Sequence, residues 1–198
     1  MPRLVLASSS RYRRQLLDRL EIPYAWSAPD IDESRREGED AVTLAHRLAL
    51  SKAQAVAEEY PEHLIIGSDQ LALFEDDILG KPGDFATACA NLARFSGKRV
   101  RFMTGLALID TAAGRHRVVH DTYDVLFRNL SSSEIESYVS RDEPYDSSGS
   151  FRMEGLGIAL FERFEGSDPN TLIGMPLIKL CELLREAGVD PLTKTGSQ

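Results

Sequence analysis

Short apolar runs alternate along the chain with longer segments in which apolar residues return every three or four positions, the patterns of strands and of amphipathic helices. Leu4-Val5-Leu6-Ala7 is such a run; three serines follow, and Leu16, Leu17 and Leu20 then recur at helical spacing. Strand, loop and a helix over Arg11 to Leu20 are predicted in that order. Asp30 to Asp40 is polar and charged and reads as a loop, whereas Val42 to Tyr60 places Leu44, Leu48, Ala49, Ala53, Val56 and Ala57 on one helical face. Leu64-Ile65-Ile66 predicts a buried strand that runs into Gly67-Ser68-Asp69-Gln70, after which apolar character resumes from Leu71 to Phe74 and Glu75-Asp76-Asp77 suggests a turn.

Asp84 is placed to cap a helix over Phe85 to Phe95, with Gly97 ending it. Val100 to Asp110 and Arg117 to Phe127 predict a hairpin joined at Ala112-Ala113-Gly114. Ser131 and Glu134 form a capping box for a helix reaching Ser140, Gly157 to Phe164 reads as a further strand, and Met175 to Ala187 as a last amphipathic helix closed by Gly188. Alternating strands and helices followed by a hairpin predict an α/β protein with a mixed central sheet flanked by helices. The expected organisation is one domain over residues 1–192, as a single unit or as two lobes sharing a sheet with a substrate cleft between them, and a loose tail over 193–198.

With 31 acidic against 23 basic residues the 198-residue chain carries a formal charge of −8, so a broad footprint for nucleic acid is not expected. No apolar stretch approaches the roughly 20 residues that cross a bilayer, and Met1-Pro2-Arg3 does not open a secretory signal, so a soluble cytoplasmic protein without a membrane partner is expected. Cys89 and Cys181 form no CxxC pair and are predicted to be buried free thiols. Walker, HExxH and GxSxG patterns are absent, and His46, His63, His116 and His120 read as ordinary histidines.

The acidic chain nevertheless opens on a local basic patch. Arg3, Arg11, Arg13, Arg14 and Arg19 stand against the single acid Asp18 within the first nineteen residues. Ser8, Ser10, the N-terminus of the first helix and these guanidinium groups can converge on a phosphate, or else form a solvated helix face. Asp69, between two apolar runs, is either a carboxylate that binds a divalent cation or activates water, or a turn aspartate after Gly67. Asp32-Glu33 can add a carboxylate to such a cation or belong to a solvated loop. Lys52 and Lys81, the latter in Gly80-Lys81-Pro82, are candidate cations that otherwise read as surface lysines.

Taken in order, Leu6-Ala7-Ser8-Ser9-Ser10 with Arg13-Arg14, Asp32-Glu33, Lys52, Gly67-Ser68-Asp69-Gln70, Gly80-Lys81-Pro82, Thr104-Gly105 and Ser148-Gly149-Ser150-Phe151 resemble the Maf family of nucleoside triphosphate pyrophosphatases. Gln70, Glu154 and the stretch from Gly166 to Thr171 resemble its 7-methyl-GTP subgroup. The subgroup acting on dTTP and UTP typically carries arginine, threonine and glutamine at the positions of Tyr12, Gln70 and Glu154. The resemblance implies a fold like that of the Maf and inosine triphosphatase proteins. It also implies hydrolysis to a monophosphate and pyrophosphate with a divalent cation, Mg²⁺ or Mn²⁺, and a homodimer.

By the same resemblance Asp69 is the catalytic base, and Glu33 joins it at the metal. Ser8, Arg13, Arg14, Lys52 and Lys81 surround the triphosphate, while Tyr12, Gln70 and Glu154 set specificity. A methylated guanine is cationic, so an aromatic face at Tyr12 and a carboxylate at Glu154 suit it. Arg11 stands where the family commonly has proline, and Tyr12 where the subgroup has tryptophan, which predicts weaker stacking rather than a different substrate. The competing expectations are a dTTP or UTP pyrophosphatase, and a regulator of cell division that senses a nucleotide without turning it over.

Overall fold

The computed structural model describes residues 3–75, 77–153 and 155–193. Among the described residues seven strands form one mixed sheet in the order β2-β1-β3-β5-β6-β7, with β4 paired to β3. They are β1 (Arg3–Ala7), β2 (Tyr24–Ser27), β3 (His63–Phe74), β4 (Asp77–Leu79), β5 (Arg99–Asp110), β6 (Arg115–Phe127) and β7 (Phe161–Gly166). β1 runs parallel to both β2 and β3, whereas β4 is antiparallel to β3 and β7 to β6. The helices are α1 (Arg11–Asp18), α2 (Ala41–Ala57), α3 (Phe85–Phe95), α4 (Ser132–Asp142), α5 (Asn170–Ile173) and α6 (Leu177–Glu186), with a 3₁₀ turn over Leu156–Leu160.

The described chain divides into two compact units. One comprises residues up to 70, 104–121 and from 174 onward; the other comprises 71–103 and 122–173. β3, β5 and β6 therefore contribute residues to each.

In the first unit Val5, Ala7 and Ile65 of the parallel strands pack under Ala53 and Val56 of α2. Two glycines let this helix approach the sheet. A Cβ on Gly67 would overlap the carbonyl oxygen of Ala49, and one on Gly105 would overlap that of Ala45. Small residues on α2 and glycine on the strands thus replace the usual interlayer of side chains, which brings polar groups of α2 and β3 within direct reach. In the second unit the core is aromatic: Phe74, Phe95, Phe102, Phe127 and Phe151 are buried together with Leu92, Val125 and Val139. Phe127, Phe151 and Phe161 meet edge to face with ring centroids 4.8 to 5.7 Å apart, the arrangement that ring quadrupoles favour.

Capping explains several boundaries. Ser10, Asp40 and Asp84 accept the backbone N–H of Arg13, Thr43 and Thr87 at the starts of α1, α2 and α3, and Ser131 with Glu134 completes the expected box on α4.

Four expectations are corrected. Gly67 to Gln70 does not interrupt a strand but lies inside the continuous β3; Gly67 serves close helix packing, not a turn. The strand expected from Gly157 begins as a 3₁₀ turn and becomes extended only at Phe161. There is no room at Gly157 for a side chain against the backbone of Arg152. α6 starts at Leu177 because Pro176 caps it. Cys89 and Cys181 form no disulfide, as expected, but are half-buried rather than buried. β2, β4 and α5 are too short to show a period in the sequence. Of the expected tail only Thr193 is described; 194–198 lie outside the described residues.

Candidate active site

The site in the first unit begins where β1 ends. Ala7, the last residue of β1, is in register with Gly67 on the parallel β3, so Ser8 leaves the sheet part-way along β3, which runs on to Phe74. Ser8 is buried, and its hydroxyl accepts the backbone N–H of Ser10 at 3.1 Å, which shapes the turn into α1. One turn into α1, the Arg13 Nε donates to the Gly174 carbonyl at 2.9 Å. The same carbonyl accepts the hydroxyl of the fully buried Ser68 at 2.8 Å, and Ser68 also reaches the Gly105 carbonyl at 2.9 Å. Gly174 can present its oxygen in this way because its φ of +113° belongs to glycine, and because a Cβ there would press on the Arg13 guanidinium.

Asp69, next to Ser68, is buried inside β3 and does not sit on a turn. Its Oδ1 lies 2.6 Å from the Lys52 ammonium, and Lys52 also reaches Glu33 Oε1 at 2.8 Å. Lys52, read from the sequence as a surface lysine or a phosphate ligand, is 7% exposed. Burial lowers the pKa of the Arg13 guanidinium, against which the charges of Asp69 and then Glu33 push it back up. Arginine remains charged under these conditions. Arg13, Lys52, Asp69 and Glu33 thus share one electrostatic neighbourhood.

The loop that carries Glu33 is pinned by a clamp that the sequence did not reveal. Arg47, two residues before Ala49 on α2, holds Glu39 through Nε at 2.6 Å and Nη2 at 2.8 Å, and donates to the Ser34 carbonyl at 2.9 Å. Glu39 in turn accepts the Arg36 backbone N–H at 3.0 Å, and its own carbonyl accepts Arg35 Nε at 2.8 Å. The Arg47 hydrogen bond first, and then the Arg36 backbone N–H and the two positive charges, hold the Glu39 carboxyl down at about 2 against the opposing effect of burial. Fixing residues 34–39 on both sides of one buried carboxylate fixes the approach of Glu33 to Lys52.

Gln70 follows Asp69 on β3, and its Nε2 donates to Thr104 Oγ1 at 3.3 Å. Tyr12 is half-buried under Arg11, whose guanidinium lies 4.8 Å from the ring centre and donates to the Tyr12 hydroxyl at 3.1 Å. Arg14 takes another course. Its guanidinium stacks on the Trp26 ring at 4.3 Å and lines a groove of about 490 Å³ with Arg11, Gln15, Asp18, Tyr24 and Trp26. Lys81 belongs to the second unit, where it is exposed beside Asp146, whose carboxyl is held below its ordinary range by Arg152 first and by Lys81 in smaller part. Glu154 lies outside the described residues.

The chemistry of the donors decides what cation they suit. Asp69 and Glu33 offer hard carboxylate oxygens to one point, as Mg²⁺ or Mn²⁺ prefers, and among the described residues no group of three His, Cys, Asp or Glu side chains could hold an ion alone. The pair could hold a divalent cation and would leave most of its octahedral positions to other oxygen ligands. His46 and His120 share a 2.9 Å nitrogen–nitrogen contact and remain a two-residue pair.

The site thus gathers Arg13, Lys52, Asp69 and Glu33 on a mixed α/β sheet, where β1 ends and β3 continues. The solved HAM1 protein from Coxiella burnetii shares the fold, with a TM-score of 0.51 and 17% identity over 94% of this chain and all of that one. A family model described as Maf-like protein matches residues 3–187, and the chain belongs to the Maf family.

Two relatives are named 7-methyl-GTP pyrophosphatase. That of Chromohalobacter salexigens is 71% identical over 97% of this chain and 100% of its own. That of Alcanivorax borkumensis is 54% identical over 95% of each chain. Among the described residues no helix is long and apolar enough to cross a membrane.

Proposed function

We propose that this protein hydrolyses 7-methyl-GTP to 7-methyl-GMP and pyrophosphate, removing a modified nucleotide from the cytoplasmic pool, with a divalent cation as cofactor and as a homodimer. The observation that carries the reading is identity of 71% over the full length of a protein with that name. Both named relatives favour this substrate over dTTP or UTP, and favour turnover over a sensing role.

In this reading Asp69 orients a water and takes its proton as the oxygen attacks phosphorus and pyrophosphate leaves. Arg13, fixed through Nε to Gly174, keeps its terminal nitrogens for phosphate oxygens. Lys52 adds a second cation and Ser8 a hydroxyl, while Lys81 and Arg14 are assigned to the outer phosphates. When bound, the cation at Asp69 and Glu33 supplies neutralisation of phosphate charge. Gln70, Tyr12 and Glu154 are assigned to the base.

The deciding experiment incubates the full chain and Mg²⁺ or Mn²⁺ with 7-methyl-GTP, GTP, dTTP and UTP separately, and measures monophosphate and pyrophosphate. Preferential conversion of 7-methyl-GTP is expected. Preference for dTTP or UTP overturns the substrate, absence of turnover overturns the activity, and sedimentation of the same sample as a monomer overturns the dimer.

A further inference from the structure

The Lys52 ammonium touches both carboxylates assigned to the metal, Asp69 at 2.6 Å and Glu33 at 2.8 Å. Lys52 and Asp69 are both buried, so neither charge is replaceable by solvent, and the ammonium is already the cation that the carboxylate pair requires. We propose that Lys52 is a built-in counter-cation: it holds the Asp69–Glu33 pair while no nucleotide is bound, and yields that position only to a divalent cation that arrives on the triphosphate.

Charge and geometry both support this order. A free divalent ion gains two carboxylates here but must displace an ammonium that then has no anionic partner inside the site, a costly state for a buried charge. With a nucleotide present, phosphate oxygens offer that ammonium a new anion. Lys52 exchanges a carboxylate for a phosphate oxygen, a movement that its flexible four-carbon stem permits. The donor set agrees, because two carboxylates leave most of an octahedral shell to be filled by water or phosphate. By linkage, metal and nucleotide then strengthen each other's binding by the same factor.

The proposal rests on the assignment of Asp69 and Glu33 to the metal, and its test needs no turnover. Binding of Mn²⁺ alone is followed by electron paramagnetic resonance of the free ion, on the intact protein without nucleotide. Wild type is expected to bind weakly, Lys52→Met about tenfold or more tightly, and Lys52→Arg as weakly as wild type. Adding Asp69→Asn to Lys52→Met is expected to remove the gain. Equal or weaker Mn²⁺ binding by Lys52→Met overturns the proposal. Should that variant fail to fold by circular dichroism, wild type decides the matter: Mn²⁺ binding that is as tight without an α,β-methylene analogue of 7-methyl-GTP as with it overturns the idea, and tightening by the analogue beyond its own affinity for Mn²⁺ supports it. A substrate other than 7-methyl-GTP would surface in the product assay and leave the nucleotide-free titrations readable.

Discussion

Gly67 and Ala49 are in contact so close that a single methyl group on the glycine would overlap the alanine carbonyl oxygen and lie 2.9 Å from the Ala53 nitrogen. Both of these are helix backbone atoms and cannot rotate away, so Gly67→Ala must push α2 off the sheet. A loss of about 1–3 kcal/mol is expected, measured by urea denaturation. Because α2 carries Lys52 and β3 carries Asp69, kcat/KM should fall as well. Gly80→Ala, with open space around its Cβ, is the control and should change stability by less than about 0.5 kcal/mol.

Asp69→Asn removes the proton acceptor while preserving shape, and Glu33 remains to hold Lys52. The far-UV spectrum should be unchanged and kcat should drop by about a hundredfold or more, the scale of a lost general base. Turnover near that of wild type would show that another group accepts the proton.

Much of this arrangement was legible in the sequence. β1, the cap at Asp84, the capping box at Ser131 and the hairpin of β5 and β6 follow from local patterns that need no tertiary information. Asp69 stood out because a charge between two apolar runs demands a partner. The partner could not be read, since Lys52 has the helical setting of any exposed lysine until the glycines at 67 and 105 bring α2 onto the sheet. Their signal was present as Ala45, Ala49 and Ala53, three small side chains at four-residue spacing. Glu39 and Arg47 left no comparable trace: both look like solvated charges, and only the folding back of residues 34–39 buries Glu39 against the half-buried Arg47. Gly174 acts through its carbonyl oxygen, which no side-chain pattern encodes.

The Glu39 clamp predicts a pH dependence. Its carboxyl is held at about 2 when folded, chiefly by Arg47, against a value near 4.3 in an unfolded chain. A depressed folded value contributes stability in full above the unfolded value, and that contribution is lost as pH falls from there through about 2. Glu39→Gln should therefore destabilise the protein at pH 7 relative to wild type, and the difference should shrink between pH 4 and pH 2. Thermal melts of both proteins across that range measure it. A difference that stays constant with pH would assign the effect to packing rather than to charge.

Tyr12 and Arg11 carry the last prediction, which concerns affinity. Arg11 already lies over the Tyr12 ring and donates to its hydroxyl, so a cationic base stacking on that ring meets a face whose negative quadrupole is shared with a guanidinium. Tryptophan offers a larger π-face and no hydroxyl for Arg11 to hold, and indole is the better partner for a cation. Tyr12→Trp is expected to lower the KM for 7-methyl-GTP about two- to fivefold, corresponding to roughly 0.5–1 kcal/mol, with kcat little changed. Neutral GTP lacks the ring charge and should gain less, so the ratio of the two KM values is the informative quantity. A KM for 7-methyl-GTP that stays the same or rises would remove Tyr12 from the base-binding surface and leave the phosphate and carboxylate machinery untouched.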